Sequence, residues 1–320
     1  MSGLRAAVVG VGYLGRFHAE KYAANPGVTL VAVADVDAER ARTIAADLGV
    51  EAVTDYRTLF GRIDCASVAV PTQHHHAVAR DLLDGGVDVL VEKPLTTTVD
   101  EGKALVELAV RGGRVLQVGH LERFNPAVLA LEGVVSQPRF IECHRLAPFT
   151  ERGTDVDVVL DVMIHDLDVI LSMVPSALRS VEAVGVPVLT SSVDIANARL
   201  RFANGCIANL TASRVSLKRE RKLRIFQADA YLAVDYGERR VRIIRREPSP
   251  DGQTALAVEE REVPETDPLE AEIAAFLRAV RDREPPPVTG WDGLRALEVA
   301  HVIRESVETE VRAAQAAALS

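Results

Sequence analysis

The stretch Arg5-Ala6-Ala7-Val8-Val9-Gly10-Val11-Gly12-Tyr13-Leu14-Gly15 decides how the N-terminal part of this chain folds. An apolar run of strand length ends in three glycines spaced G-x-G-x-x-G, and a helical pattern, Arg16–Ala24, starts directly behind them. Strand, tight turn and helix in that order make a cradle for a phosphate. Gly10 permits the turn, Gly12 lets the backbone approach the anion, and Gly15 lets the helix pack on the strand. The helix N-terminus then offers N–H groups that have no partner inside the helix. Working outward, Asp35 closes the second apolar run, Val28–Ala34. A carboxylate at that place suits the hydroxyls of an adenosine ribose and repels a 2′-phosphate, so the pattern favours NAD over NADP. The rival role for Asp35, capping the helix that starts near Ala38, is better filled by Asp37.

The same alternation continues to about residue 120. Apolar runs at Ala66–Val70, Val87–Val91 and Val115–Val118 follow the first two, and helical patterns at Ala38–Leu48, His75–Leu83 and Val99–Val110 lie among them. Strands apolar on both faces and separated by helices predict a doubly wound parallel sheet, an α/β domain over residues 1–121. From 122 to 320 the texture is α+β. Arg123–Val135 predicts a helix starting near Asn125-Pro126, and Val156–Met173 a long one. Strands are predicted at Val181–Leu189, Ile195–Phe202, Cys206–Ala212, Arg221–Gln227, Tyr231–Asp235, Arg240–Arg245 and Leu256–Val263, with Asn204-Gly205 as a hairpin turn. No helix separates these runs, so their sheet should be mostly antiparallel. Closing helices, Pro268–Arg281 and Trp291–Glu310, flank Pro285-Pro286-Pro287 and complete the fold over about 268–316.

A net charge of −9 argues against nucleic acid or an anionic membrane as the main partner. Cys65, Cys143 and Cys206 show no paired spacing, as expected of reduced thiols in a cytoplasmic protein. The chain enters its first strand almost at once and has no apolar run of membrane-spanning length, so a soluble cytoplasmic protein is expected.

Two further patterns carry chemistry. Glu92-Lys93-Pro94 ends the apolar run Val87–Val91, at the strand end where open α/β sheets place their reactive groups. A lysine shielded there can donate or relay a proton; taken alone, it is more often a surface lysine behind a strand. Asp157, Asp161 and His165 follow i, i+4, i+8 and share one face of the predicted helix. His165 can take a hydroxyl proton while hydride leaves the same carbon, and Asp161 can orient the imidazole or bind a substrate hydroxyl. No metal is expected, since the cysteines are remote and HExxH is absent. His74-His75-His76 predicts a helix start after Pro71-Thr72, with one histidine near the cofactor and the others exposed. The basic run Lys218–Arg224 predicts a solvated hairpin face; Arg214 or part of the run is the sharper alternative, as partner of a diphosphate.

With the Gly10–Gly15 loop, Asp35, Pro71-Thr72-Gln73-His74-His75, Glu92-Lys93-Pro94, Asp161-Val162-Met163-Ile164-His165 and Pro287–Gly293, the chain resembles the glucose–fructose oxidoreductase / inositol dehydrogenase (Gfo/Idh/MocA) family over nearly its full length. The resemblance implies an N-terminal Rossmann domain, an open-faced C-terminal sheet used for homodimer or homotetramer contacts, and NAD-linked hydride transfer on sugars and polyols. It implies Lys93, Asp161 and His165 as catalytic residues. Cofactor contacts would be Gly10, Gly12, Tyr13, Leu14, Gly15, Asp35, Val36, Pro71, Thr72, His75, Glu92 and Lys93. Substrate contacts would be His120, Arg123, Asn125, Asp157 and Arg214. Gln117–Pro126 and Val159–Asp168 look most like the subfamily of bacterial UDP-N-acetylglucosamine 3-dehydrogenases, whose ketone product goes to a partner aminotransferase for lipid A sugars. Asp155–Leu160 replaces the glycine-rich lead-in usual before the Asp/His motif. Alternatives are a dehydrogenase of a free polyol or keto-sugar, and a non-catalytic NAD-dependent sensor on the same fold.

Overall fold

The computed structural model of the protein describes residues 3–150, 156–248 and 254–318. By packing, the chain forms two compact units, Met1–Phe124 with Asp267–Leu297, and Asn125–Thr266 with Glu298–Ser320. Residues 267–297, which include the first closing helix and the start of the last, group with the first unit.

In the first unit β1 (Leu4–Val9), β2 (Val28–Ala34), β3 (Glu51–Val53), β4 (Cys65–Val68), β5 (Asp88–Glu92) and β6 (Leu116–Gly119) form one sheet in the order β3-β2-β1-β4-β5-β6. Every pairing is parallel. The strand side chains alternate between two cores. Ala7, Val9, Val89 and Val91 pack with Val78, Leu82, Leu105 and Val106 of α3 (His75–Asp84) and α4 (Val99–Gly112). Ala6, Val8, Val33 and Leu90 pack on the other face with Ala19 and Tyr22 of α1 (Tyr13–Ala24) and Ile44 of α2 (Ala38–Leu48). Burial on both faces is why these strands read as continuous apolar runs. The three-residue β3 is too short to show such a run and was not expected.

The second unit is built on an eight-stranded sheet in the order β14-β13-β12-β11-β7-β10-β9-β8. Its strands are β7 (Pro138–Leu146), β8 (Leu178–Val186), β9 (Ile195–Phe202), β10 (Ile207–Ser213), β11 (Glu220–Gln227), β12 (Ala230–Asp235), β13 (Arg240–Pro248) and β14 (Thr254–Glu262). Neighbours are antiparallel except β7 and β10, which run parallel at the centre. The hairpin at Asn204-Gly205 is present, with Gly205 at φ 84°. The predicted helix over 123–135 is only α5 (Pro126–Leu129), capped by the Asn125 side chain. The predicted helix over 156–173 is a five-residue π-turn, Val159–Met163, leading into α6 (Ile164–Met173). Asp155 of the altered lead-in lies outside the described residues.

The chain then returns to the first unit through α7 (Pro268–Asp282). Its Ile273, Phe276, Leu277 and Val280 join the core shared with α1 and α2, and its N-cap Asp267 forms an ion pair with Lys21 at 2.6 Å. The last helix, α8 (Gly290–Ala318), belongs to the first unit up to Leu297 and to the second beyond it. Among the described residues no helix is long and apolar enough to cross a membrane.

Candidate active site

Because all six strands of the first sheet are parallel, their C-terminal ends share one edge, and most predicted groups of this unit fall there. Gly10 follows β1, Asp35 follows β2, Pro71 and Thr72 lie beyond β4, Glu92 and Lys93 sit at the end of β5, and His120 follows β6. Gly10 has φ 86°, and a Cβ there would lie 2.7 Å from the Val70 nitrogen. At Gly15 a Cβ would overlap the Gly10 carbonyl oxygen, so helix and turn meet backbone to backbone. Gly12 differs: a Cβ there meets nothing within 4 Å. Gly12 is the N-cap of α1, supplies no side-chain cap, and the first turn holds no acidic residue. The amides of that turn are therefore oriented for an anion in open space, with Tyr13 and Leu14 exposed beside them. These features fit the pyrophosphate of NAD.

The Asp35 carboxylate is fixed from two sides. Its Oδ2 accepts the Val11 amide at 3.0 Å and its Oδ1 the Asp37 amide at 2.9 Å, and Arg40 Nη1 is 3.3 Å from each oxygen. Capping falls to Asp37, which accepts from the Glu39 and Arg40 amides. Asp35 thus ties the turn after β1 to the end of β2, with Val36 exposed next to it.

Lys93 is partly buried, and so is Glu92 before it. Glu92 Oε1 accepts from His18 Nε2 at 2.8 Å, and its Oε2 accepts the Lys93 amide at 3.2 Å. Burial alone would raise the Glu92 carboxyl; the His18 hydrogen bond and charge, with help from Lys93, hold it below its ordinary value. His75 is buried, whereas His74 is exposed and His76 half-buried. The His75 ring nitrogens lie 2.8 Å from the Pro94 carbonyl and 2.9 Å from the Val70 carbonyl. Burial pushes its pKa below the ordinary histidine value, against the pull of the two carbonyl hydrogen bonds. The ring expected beside the cofactor braces the loop carrying Pro94. His120 is buried, and Arg123 Nη2 donates to the Pro287 carbonyl at 3.2 Å.

The second unit holds the Asp/His pair. Asp161 lies on the π-turn and His165 on the first turn of α6, both half-buried. Lys93 belongs to the first unit, so the predicted trio is divided between the two. Asp157 is not a third member of the helix face. Its Oδ1 accepts the Val159 and Leu160 amides at 2.9 and 3.1 Å, and its Oδ2 pairs with Arg304 at 2.6 Å, a capping role in place of the substrate contact expected. Arg145 was missed by sequence reasoning. It reaches from β7 under α6 and holds Asp166 by two bonds, Nε–Oδ2 at 2.9 Å and Nη2–Oδ1 at 2.6 Å, both side chains buried.

Arg214 is also corrected. It is buried, with Nε 2.8 Å from Asp194 Oδ1, Nη1 2.8 Å from the Val156 carbonyl and Nη2 3.1 Å from Thr190 Oγ1, so its guanidinium serves the fold and not a diphosphate. The basic run fares as expected, with Arg224 paired to Glu142 and Lys222 near Glu220 and Asp235. Burial would raise the Asp194 carboxyl, but the amides of Thr190 and Leu189, the Thr190 hydroxyl and Arg214 hold it far below the usual range. A depressed carboxylate stabilises the fold above its unfolded pKa and loses that contribution as pH falls. Asp194→Asn should therefore destabilise at neutral pH by about 3–5 kcal/mol, because Arg214 is left buried without its counter-charge. In thermal melts the gap to the parent protein should hold down to pH about 4 and narrow only below it. An equal gap at all pH values would deny the ion pair its role.

The parallel sheet, the glycine cradle and the anchored aspartate define a dinucleotide-binding oxidoreductase. Residues 4–120 match the family described as "Oxidoreductase family, NAD-binding Rossmann fold", and residues 127–232 match the "GFO/IDH/MocA C-terminal domain". The chain belongs to the GFO/IDH/MocA oxidoreductase family. It is 39% identical to a UDP-N-acetylglucosamine 3-dehydrogenase of Acidithiobacillus ferrooxidans, over 95% of this chain and 97% of that one. A solved structure of that enzyme superposes with a TM-score of 0.90, covering 97% of this chain and 99% of the other. It is 30% identical to a scyllo-inositol 2-dehydrogenase (NAD(+)) of Bacillus subtilis, over 67% of this chain and 68% of that one. The fold is shared with scyllo-inositol dehydrogenase of Lactobacillus casei, at 19% identity and a TM-score of 0.80, with 97% of this chain and 98% of that one covered.

Proposed function

We propose that the protein oxidises the C3 hydroxyl of UDP-N-acetylglucosamine to the 3-keto sugar, using NAD. The observation that carries this reading is the 39% identity, over 95% of the chain, to the enzyme of that name, against 30% over 67% for the Bacillus subtilis inositol dehydrogenase. Gly10, Gly12, Gly15 and Asp35 hold the cofactor, with Tyr13, Leu14, Val36, Pro71 and Thr72 beside it. NAD, when bound, supplies the hydride acceptor. His165 takes the proton of the C3 hydroxyl as hydride leaves the carbon, Asp161 orients its ring, and Lys93 polarises the C3 oxygen. His120, Arg123 and Asn125 contribute to substrate binding. The ketone product suits an aminotransferase as its consumer, and the eight-stranded sheet suits a homodimer or homotetramer.

The test is mass spectrometry of UDP-N-acetylglucosamine incubated with the protein and NAD, with hydroxylamine present to trap ketone as it forms. A 3-keto adduct that depends on Lys93 is expected. No adduct from a protein that binds NAD would defeat this substrate and turn the search to free polyols such as inositol.

Asp35 allows a separate check of cofactor choice. Loss of a charged hydrogen bond to the ribose costs about 1.5–3 kcal/mol, so Asp35→Ala should weaken NADH binding by roughly 10- to 100-fold. NADPH binding should change far less, and fluorescence titration of both cofactors reads the difference. A parent protein that already prefers NADPH would overturn the assignment.

A further inference from the structure

Helix α1 begins at the phosphate cradle and turns a histidine inward. His18 is 1% exposed and shares the sheet-facing stripe of that helix with Gly15, Ala19 and Tyr22. Burying a polar ring at an otherwise apolar face is costly unless its nitrogens are bonded. Both are: Nδ1 lies 3.1 Å from Ser67 Oγ in β4, and Nε2 lies 2.8 Å from Glu92 Oε1 at the end of β5. The Tyr22 hydroxyl, one turn further along α1, lies 2.9 Å from the same Ser67 Oγ. Glu92 passes the connection on by accepting the Lys93 amide with its other oxygen. The fully buried Glu272 of α7 joins from the opposite element, its carboxylate within 4.8 Å of the ligating atoms of His18 and Glu92.

We infer that His18 is a positioning residue for Lys93. It fastens the helix that presents amides to the cofactor pyrophosphate to the strand end that carries the lysine, through one imidazole and one carboxylate. The inference rests on the reading of Lys93 as a group that acts on the substrate oxygen. His75 braces the same corner at the next residue, through the Pro94 carbonyl. Lys93 is thus held on both sides by buried histidines bonded to the loop. An apolar residue could fill the space of His18 but could not aim Glu92, and a misplacement of about 1 Å at a reacting group can cost about 100-fold in rate.

The experiment uses His18→Leu, which keeps the volume, and His18→Gln, whose terminal amide can donate to Glu92. Each is measured for kcat, for NADH affinity by fluorescence and for thermal stability, alone and combined with Lys93→Ala. His18→Leu should lower kcat by about 10- to 100-fold with NADH affinity within about threefold of the parent. His18→Gln should recover most of that loss. In the Lys93→Ala background, followed under single-turnover conditions, His18→Leu should cost nothing further, because the group it positions is gone. Full kcat in His18→Leu, no rescue by His18→Gln, or additive losses in the double variant would overturn the positioning role. Parent-like turnover in Lys93→Ala alone would instead overturn the reading of Lys93.

Discussion

Lys93→Ala should lower kcat by about 10²- to 10⁴-fold, the span of a positioned acid–base group, and leave NADH affinity within about threefold of the parent. The separation follows from where the two tasks sit. In the proposed function the phosphate contacts come from backbone around Gly12 and the first turn of α1, and the ribose contact from Asp35, whose carboxylate accepts the Val11 and Asp37 amides. Neither depends on the Lys93 side chain, whose own backbone is fixed through Glu92. His165→Ala should behave the same way for a different reason. His165 lies in the first turn of α6, and its neighbour Asp166 is gripped by buried Arg145, so removal of the imidazole leaves the helix seated. Single-turnover kinetics and cofactor titration on the same samples check both variants. Equal loss of binding and turnover would mean that these residues hold the fold or the cofactor, and not the proton.

Much of the first unit was legible because its physics is local. Strands buried on both faces announce themselves as apolar runs, and the glycine spacing follows from contacts within a few residues of the turn. The second unit hid its central strand. β7 points Ile141, Cys143 and Arg145 inward, and an arginine at an inward position breaks the apolar alternation that marks a strand. Asp166, 21 residues on, neutralises it, and no local pattern discloses that pairing. The same long-range logic removed Arg214 and Asp157 from the substrate contacts: each had a charged partner, Asp194 or Arg304, far away in sequence. The π-turn at Val159–Met163 left no signal either, since its widened turn keeps a helical composition. His18 could have been found. Gly15, His18, Ala19 and Tyr22 follow i, i+3, i+4, i+7, and a histidine on the stripe that Gly15 assigns to the sheet must be buried and bonded.

Two alanine substitutions in the glycine loop should both weaken NADH binding by about 100-fold or more, yet only one should harm the fold. At Gly15 the added Cβ would overlap the Gly10 carbonyl oxygen, lie 2.8 Å from the Gly10 carbonyl carbon and sit 3.3 Å from the Ala69 Cβ. Backbone cannot rotate away as a side chain can, so α1 must lift from the sheet. That lift carries the first-turn amides off their aim and strains the His18 and Tyr22 bonds further along the same face. Overpacking of this kind costs about 1–3 kcal/mol or more, which lowers the melting temperature by several degrees. At Gly12 the Cβ meets no protein atom within 4 Å and φ is −66°, so alanine fits the fold. It occupies instead the space through which a pyrophosphate must reach the amides. Gly12→Ala should therefore melt like the parent while its NADH affinity falls by about 100-fold or more, the loss of about 3 kcal/mol of anion contacts. Gly15→Ala should lose both properties. If Gly12→Ala binds NADH normally, the pyrophosphate does not approach the backbone there, and the cradle would have to be sought elsewhere along the sheet edge.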